Sequence, residues 1–360
     1  MTDAFLLTRV RLTFQSKDDD LIKELSAVTR TPDGSLWVGS DEYLSLERLS
    51  PMGDGTYGGH KTFHLNDFVN LADTDSEIDI EGLDYSDGYI WVIGSHSLKR
   101  NKTKGKKPKK DIRRLSEIER DPNRYLIARF PVLKGDLVHT YARSDNADDR
   151  LTAAALKRIE PHNQLMEALA DDEHLGSILA AKLPSKDNGF DIEGVAVLEN
   201  RMFLGLRGPV LRGWAIILEV ELDDTEPGVL VLKELDDKVL YRKHFVDLNG
   251  LGIRELALRG EDLIILAGPT MDLEGAMQVF RLNNVLDHSN DTLWDQDSDM
   301  LVTLFDLPFT IGSDHAEGLV LVPCLGYDDG LMVVYDSPDP ARCPDKSSVF
   351  ADIFRLPSQS

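Results

Sequence analysis

Ile80-Glu81-Gly82-Leu83-Asp84-Tyr85, then Asp87-Gly88, then Ile90-Trp91-Val92-Ile93-Gly94-Ser95, is the stretch on which the fold turns. Two runs of period-two alternation across an Asp-Gly turn make a β-hairpin. The same pattern of a glutamate, an apolar run, a turn and a second apolar run returns four times. It reads Glu24 to Val28 with Leu36 to Ser40, and Glu193 to Val197 with Met202 to Arg207. It reads again as Glu255 to Leu258 with Leu263 to Gly268, and as Glu317 to Leu321 with Leu331 to Asp336. The glutamates stand 57, 112, 62 and 62 residues apart.

Each copy is followed by a third candidate strand, at Tyr43–Arg48, Tyr125–Val132, Ala215–Leu222, Met277–Leu282 and Val349–Leu356. Copies one to four add a fourth, at His60–Leu65, Asp136–Ala142, Lys243–Leu248 and Met300–Leu304. The fifth copy runs out of chain, and the alternating stretch Phe5–Phe14 at the other terminus supplies the missing strand. The pattern predicts an all-β chain, a β-propeller of five four-stranded blades closed by its N-terminal strand, an arrangement that hides sheet edges. A sixth blade inside the 112-residue interval is the alternative, although Asp148 to Lys182 carries helical spacing at Leu151, Ala155, Ile159, Leu165 and Leu169. The domain reading is one propeller over 1–360, with a basic loop insertion at 96–123 and a helical insertion at 145–185.

Composition sets the outer limits. With 42% hydrophobic and 29% charged residues, the 360-residue chain carries an ordinary globular core. Forty basic against 63 acidic residues give a formal charge of −23, which argues against general nucleic-acid or anionic-membrane binding. Lys99 to Arg114 reverses the sign locally, with ten Lys or Arg and one Asp, and could contact a polyanion. No apolar run is long enough to span a bilayer, no signal peptide is visible, and two cysteines, Cys324 and Cys343, make no disulfide framework. These features predict a cytoplasmic protein.

In a four-stranded blade the start of strand one and the end of strand two share a face, so the five glutamates should crowd one mouth of the channel. Asp187, Asp191 and Asp314 lead into them, as do Asp18 to Asp20. Asp75, Glu77, Asp79 and Glu81 would point the same way if extended. Crowded carboxylates raise one another's pKa and invite a cation. The expected ion is calcium or magnesium, held by Glu24, Asp79, Asp191, Glu255 and Glu317. Glu81, Glu193 or His96 would take the proton, while Arg207, Arg254 and His315 would hold a small anionic molecule. Both insertions leave from this face and should cover it. Fingerprints of nucleophile elbows, zinc proteases, P-loops and dinucleotide folds are absent.

The Ile80–Leu83, Ile192–Val195 and Ala316–Leu319 anchors, with Gly94-Ser95-His96 and the lysine-rich insert, resemble a bacterial β-propeller family of unknown function. The anchors are more distantly similar to esterase-like phytases and gluconolactonase-type propellers. That second resemblance implies a calcium-dependent phosphoester or lactone hydrolase with mouth acids such as Glu81, Glu193 and Glu317 as ligands or bases. The functional expectation is a divalent-cation-dependent hydrolase of a small anionic phosphoester, ester or lactone. The alternative is a binding module without catalysis, for a protein or a small ligand.

Overall fold

The computed structural model describes residues 6–15, 21–73, 76–144, 149–271, 273–308 and 310–357. Among these, the main strand pairings group into five four-stranded antiparallel units. The first runs from Leu25–Arg30 through Leu36–Ser40 and Ser45–Gly53 to Thr56–His64. The second runs from Ile80–Ser86 through Tyr89–Gly94 and Ile127–Leu133 to Ala154–Leu156. The third contains Asp191–Leu198, Arg201–Gly208, Trp214–Glu226 and Arg242–Asp247. The fourth contains Gly252–Arg259, Asp262–Gly268, Met277–Leu282 and Leu301–Leu307. In the fifth, His315–Cys324, Tyr327–Asp336 and Ser348–Arg355 are completed on the outside by Leu6–Thr13.

The innermost strands touch in closed order, one to two to three to four to five and back to one. The chain is therefore an all-β propeller. Leu6–Thr13 lies antiparallel to Ser348–Arg355, from Leu6 opposite Phe354 to Thr13 opposite Ser348. It also meets the first unit in parallel through Arg11 and Leu12 opposite Thr56 and Tyr57. The N-terminal strand thus closes the ring as its alternation implies, and Phe5 lies outside the described residues. Other junctions are joined at the rim by short parallel pairs, Ala155 and Leu156 with Val229 and Leu230, and His244 to Val246 with Thr292 to Trp294. Among the described residues no helix is long and apolar enough to cross a membrane, and Cys324 and Cys343 are free thiols.

The long interval differs from its helical reading. Arg150–Thr152, Ala154–Leu156, Arg158–Ile159 and His162–Asn163 are short strands, and among the described residues of the interval only Gln164–Leu169 and Gly176–Ala181 are α-helices. A spacing of four, as in Leu151, Ala155 and Ile159, is also a multiple of two, so it fits a strand face as well as a helix face. Asp148 lies outside the described residues. Of the expected strand Asp136–Ala142, Asp136 and Leu137 fold back on the third strand, while Thr140–Ala142 pairs with Arg150–Thr152. The segment does not roof the mouth. Leu165, Met166, Leu169 and Leu175 sit in one apolar cluster with Trp91, Ile192, Leu206 and Leu218, wedged between units two and three. Asp172 fastens the wedge, accepting from Lys243 Nζ at 2.6 Å and Tyr241 Oη at 2.7 Å.

The basic insert is a two-stranded ribbon, Lys99–Arg100 with Ile118–Glu119, carrying a seven-residue helix at Pro108–Arg114. Its base is tied down by Lys99 to Glu77 at 3.2 Å and Arg100 to Asp187 at 2.6 Å.

Closure of the ring rests on the N-terminal strand, and Leu12 is its fully buried residue. Leu12→Ala is expected to cost about 2–5 kcal/mol of stability in urea titration, the usual range for a core truncation. Leu6→Ala, on the same strand but 45% exposed, should change stability far less.

Candidate active site at the axial mouth

Each of the five inner strands carries one extra residue at the same place in its ladder. The register skips Ser26 in unit one, Glu81 in unit two, Glu193 in unit three, Arg254 in unit four and Glu317 in unit five. A bulged residue is left out of the ladder and its side chain is re-aimed. Here the ring brings bulges from neighbouring units together. Arg254 Nη1 donates to Glu193 Oε2 at 3.0 Å on one side and to Glu317 Oε1 at 3.3 Å on the other.

This register corrects two of the expected anchors. The residue equivalent to Glu81 is Ser26 in the first unit, so Glu24 stands two places early, forming a bridge with Asp336. In the fourth unit the equivalent is Arg254, so Glu255 stands one place late. Glu255 falls where the other inner strands have Ala27, Gly82, Gly194 and Gly318. At that level the strands approach closely. A Cβ on Gly194 would come 3.0 Å from the backbone of Glu255, and one on Gly82 would lie 2.7 Å from Val195 Cγ1. Glu255 is fully buried, and its Oε1 accepts the backbone N–H of Val195 at 3.0 Å and of Leu256 at 2.9 Å. Burial drives its carboxyl well above the usual range. It seals a junction between units.

Around the bulges, arginines meet carboxylates. Arg207 Nη1 lies 2.5 Å from Glu193 and 3.8 Å from Asp191, and its Nη2 donates to the carbonyl of Met271 at 2.7 Å. Arg254 Nη2 donates to the carbonyl of Pro269 at 3.0 Å. Arg124 Nη1 lies 2.8 Å from Asp79, and its Nη2 lies 3.7 Å from Glu77. Asp79 adopts a left-handed backbone (φ +59), so the stretch before Glu81 is not uniformly extended. Glu77 and Asp79 nevertheless converge, drawn to one guanidinium, and Asp75 lies outside the described residues.

Acids outnumber these arginines. Asp41, Asp79, Glu81, Asp191, Glu193, Glu317 and Asp336 interact electrostatically across the mouth, against Arg124, Arg207 and Arg254. Burial, then the charges of Glu193, Asp79, Glu317 and Asp191, push Glu81 well above the ordinary glutamate value. Glu81 makes no hydrogen bond or ion pair among the described residues, unlike Glu193 one place round the ring. Glu317 and Asp191 are also pushed well up, each chiefly by burial. Asp41 rises to about 7, by burial and then by Asp79, Asp336, Glu42 and Glu24. Its Oδ1 is buried without a hydrogen-bond partner.

Both predicted histidines differ from their expected roles. His96 is fully buried, and burial lowers its pKa to about 4. Its Nδ1 lies 2.7 Å from the Gly94 carbonyl, and its Nε2 lies 2.8 Å from Asn163 Nδ2. Those partners suit a neutral ring that donates from Nδ1 and accepts at Nε2. His96 is therefore a structural latch for the wedge and holds no proton for the mouth. His315 is at the rim, 3.7 Å from Asp336 and 3.4 Å from Glu274, and these acids raise its pKa. Its neighbours are negative, so it does not present a free positive charge to an anion.

The expected calcium or magnesium set does not fit these residues. Hard divalent cations take about six or more oxygens, yet Asp79 and Asp191 face guanidinium groups and Glu255 is sealed between strands. Among the described residues no group of three or more His, Cys, Asp or Glu side chains is placed to hold a metal. Sequence reasoning missed Ser26 and Arg124. Aligning the apolar residue that precedes each bulge (Leu25, Ile80, Ile192, Ile253, Ala316), rather than the glutamates, would have found Ser26. No sequence signal marked Arg124, which reaches the mouth from the short turn Pro122–Tyr125.

A family model covering residues 24–352 matches this chain. The chain belongs to the DUF3616 family. That family is described as proteins of unknown function, in line with the resemblance carried by the Glu-Gly-apolar anchors. No curated protein matches it. Among solved structures, virginiamycin B lyase from Staphylococcus aureus is similar at 10% identity and TM-score 0.38, covering 97% of this chain and 99% of that one. A gluconolactonase-family protein aligns at 12% identity and TM-score 0.39, over 92% and 74% of the two chains. A glucose dehydrogenase-like oxidoreductase from Thermus thermophilus aligns at 13% and 0.37, over 92% and 97%. At these scores the likenesses carry no argument about chemistry.

Asp41 gives the mouth a pH signature. Its folded-state value of about 7 exceeds the ordinary 3.8, so the folded state binds the proton more tightly in that window. Its contribution to stability therefore falls as pH rises from about 4 to about 7. Asp41→Asn should raise the melting temperature at pH 8, with the gap to wild type closing as the pH approaches 4 in thermal scans.

Proposed function

We propose that the chain is a hydrolase for a small neutral ester or lactone, with Glu81 as the group that moves the proton. The carrying observation is the contrast between two equivalent bulge residues on adjacent inner strands. Glu193 is clamped by Arg207 and Arg254, whereas Glu81 is unpaired and pushed up by burial and its acidic neighbours. Paired carboxyl groups in such unequal surroundings suit acid–base work, because a raised pKa makes the ionised form a stronger base at neutral pH. Glu81 would take a proton from water as the water oxygen bonds to the acyl carbon. It would return that proton to the departing alkoxide as the ester C–O bond breaks, consuming one water in all. No step is routed through a metal.

Charge balance argues for a neutral substrate over the anionic one that the sequence suggested. The Nη groups of Arg207 and Arg254 are engaged by carboxylates and by the carbonyls of Met271 and Pro269, and the Nε of each, though without a partner, is buried out of reach. Phosphoester chemistry needs cationic groups free to meet the developing charge. A second reading has its own support: the surplus of acids, with Asp41 Oδ1 lacking a partner, suits capture of a cationic group without turnover.

The test is a panel of small esters and lactones with wild type and Glu81→Gln. The substitution is expected to lower kcat/KM about 10²–10⁴-fold while thermal scans show a folded protein, and activity should survive chelator. Turnover should rise with pH through a value above the ordinary glutamate range. Undiminished turnover in Glu81→Gln would remove the proposal. No turnover, with binding of small amines that Glu81→Gln weakens, would favour the second reading.

A further inference from the structure

Beside the mouth, between the wedge and the base of the basic ribbon, lies a separate cavity of about 250 Å³. Tyr125, Met166, Ile178, Leu179 and Phe190 give it an apolar body. In a chain with 63 acidic residues, no Asp or Glu among the described residues lines this cavity, while Arg120 and Lys182 do. Neither of these two cations makes an ion pair among the described residues. Arg120 is exposed and lies close to the hydroxyl of Tyr125.

The wall is built before any ligand arrives. His96 is fixed between the Gly94 carbonyl and Asn163. Asn163 Nδ2 also donates to the Tyr125 carbonyl at 2.8 Å, and its Oδ1 accepts the backbone N–H of Met166 at 3.2 Å. His96 and Asn163 are thereby satisfied within the protein, while His162, which also lines the cavity, has only a long contact from its Nδ1 to the Asn163 carbonyl at 3.4 Å. What remains for a ligand is apolar surface, the His162 ring and the two cations. A small concave site with few polar groups at one end fixes a ligand's orientation through those groups. Its volume is below the roughly 300 Å³ at which most ligand pockets begin, so the occupant is small.

We propose that this cavity binds a small aliphatic or aromatic carboxylic acid, its apolar body against Tyr125, Met166 and Phe190 and its carboxylate at Arg120 and Lys182. The site is independent of the Glu81 reading, since it shares no residue with the bulge ring.

Octanoate serves as the probe in isothermal titration calorimetry on the full chain, with octylammonium and octanol as controls. Octanoate should bind one to one, about tenfold or more tighter than octylammonium, since charge-assisted contacts favour the anion. Arg120→Glu with Lys182→Glu should weaken octanoate by a similar factor. Ala170→Trp, which fills the cavity from its lining, should abolish binding in a protein that still melts cooperatively. Glu81→Gln should bind octanoate like wild type. Equal binding of octylammonium, unchanged affinity in the double reversal, loss of binding in Glu81→Gln, or no binding of octanoate at all would each overturn the proposal.

Discussion

Five inner strands packed shoulder to shoulder around one axis are the constraint from which the rest follows. At the tightest level four of the five strands present Ala or Gly, and a Cβ on Gly82 would come within 2.7 Å of the next strand's side chain. Close approach there leaves little room for a long bulged side chain to pack sideways. The bulge one residue earlier turns Glu81, Glu193, Arg254 and Glu317 toward the shared opening, whereas the short Ser26 stays buried and its Oγ donates to the carbonyl of Ile80 on the neighbouring strand. The single exception at the tight level, Glu255, is tolerated because its carboxyl meets the backbone N–H of Val195 on the neighbouring strand. A junction elsewhere made by absent atoms is made here by a hydrogen bond.

The electrostatics of the mouth follow from that convergence. Carboxylates this close cannot all remain ionised in a buried setting without cations. Three arginines, entering from three different places in the chain, neutralise part of the load. Arg254 does so from within the ring, whereas Arg124 and Arg207 approach from the turn before a third strand and from the end of a second strand. What they leave over raises Glu81, Asp41, Asp191 and Glu317, and of these Glu81 has no ion pair among the described residues. The mouth is thus asymmetric although the fold is repetitive, and the asymmetry separates a clamped carboxylate from a titrating one.

The repeat and its closure were legible because alternation, Asp-Gly turns and a terminal strand without a local partner are properties of the sequence alone. The convergence of Glu81, Glu193 and Glu317 was legible for the same reason. Glu24 and Glu255 stand off the ring because the glutamates do not mark the register, whereas the strands align by the apolar residue before the bulge. His96 differs in another way. Its place at the end of a second strand suggested access to the mouth, but its ring turns to Asn163, contributed by a segment 67 residues away. A spacing of four read as helical in 151–159 because even spacing suits both elements, and the open edge beside Ala128 and Arg129 settled it in favour of strand.

By itself the sequence determined the class of fold, the order of the units, the strand that closes them and the acidic character of one face. These depend on local pattern and on composition, which need no partner to be expressed. Only the tertiary structure decided which acid is paired, which is left to titrate, which histidine is sealed away, and where a cavity free of acids opens. Those outcomes depend on distances between residues far apart in the chain, and the one-residue shift at each bulge sets those distances without altering the apolar alternation around it.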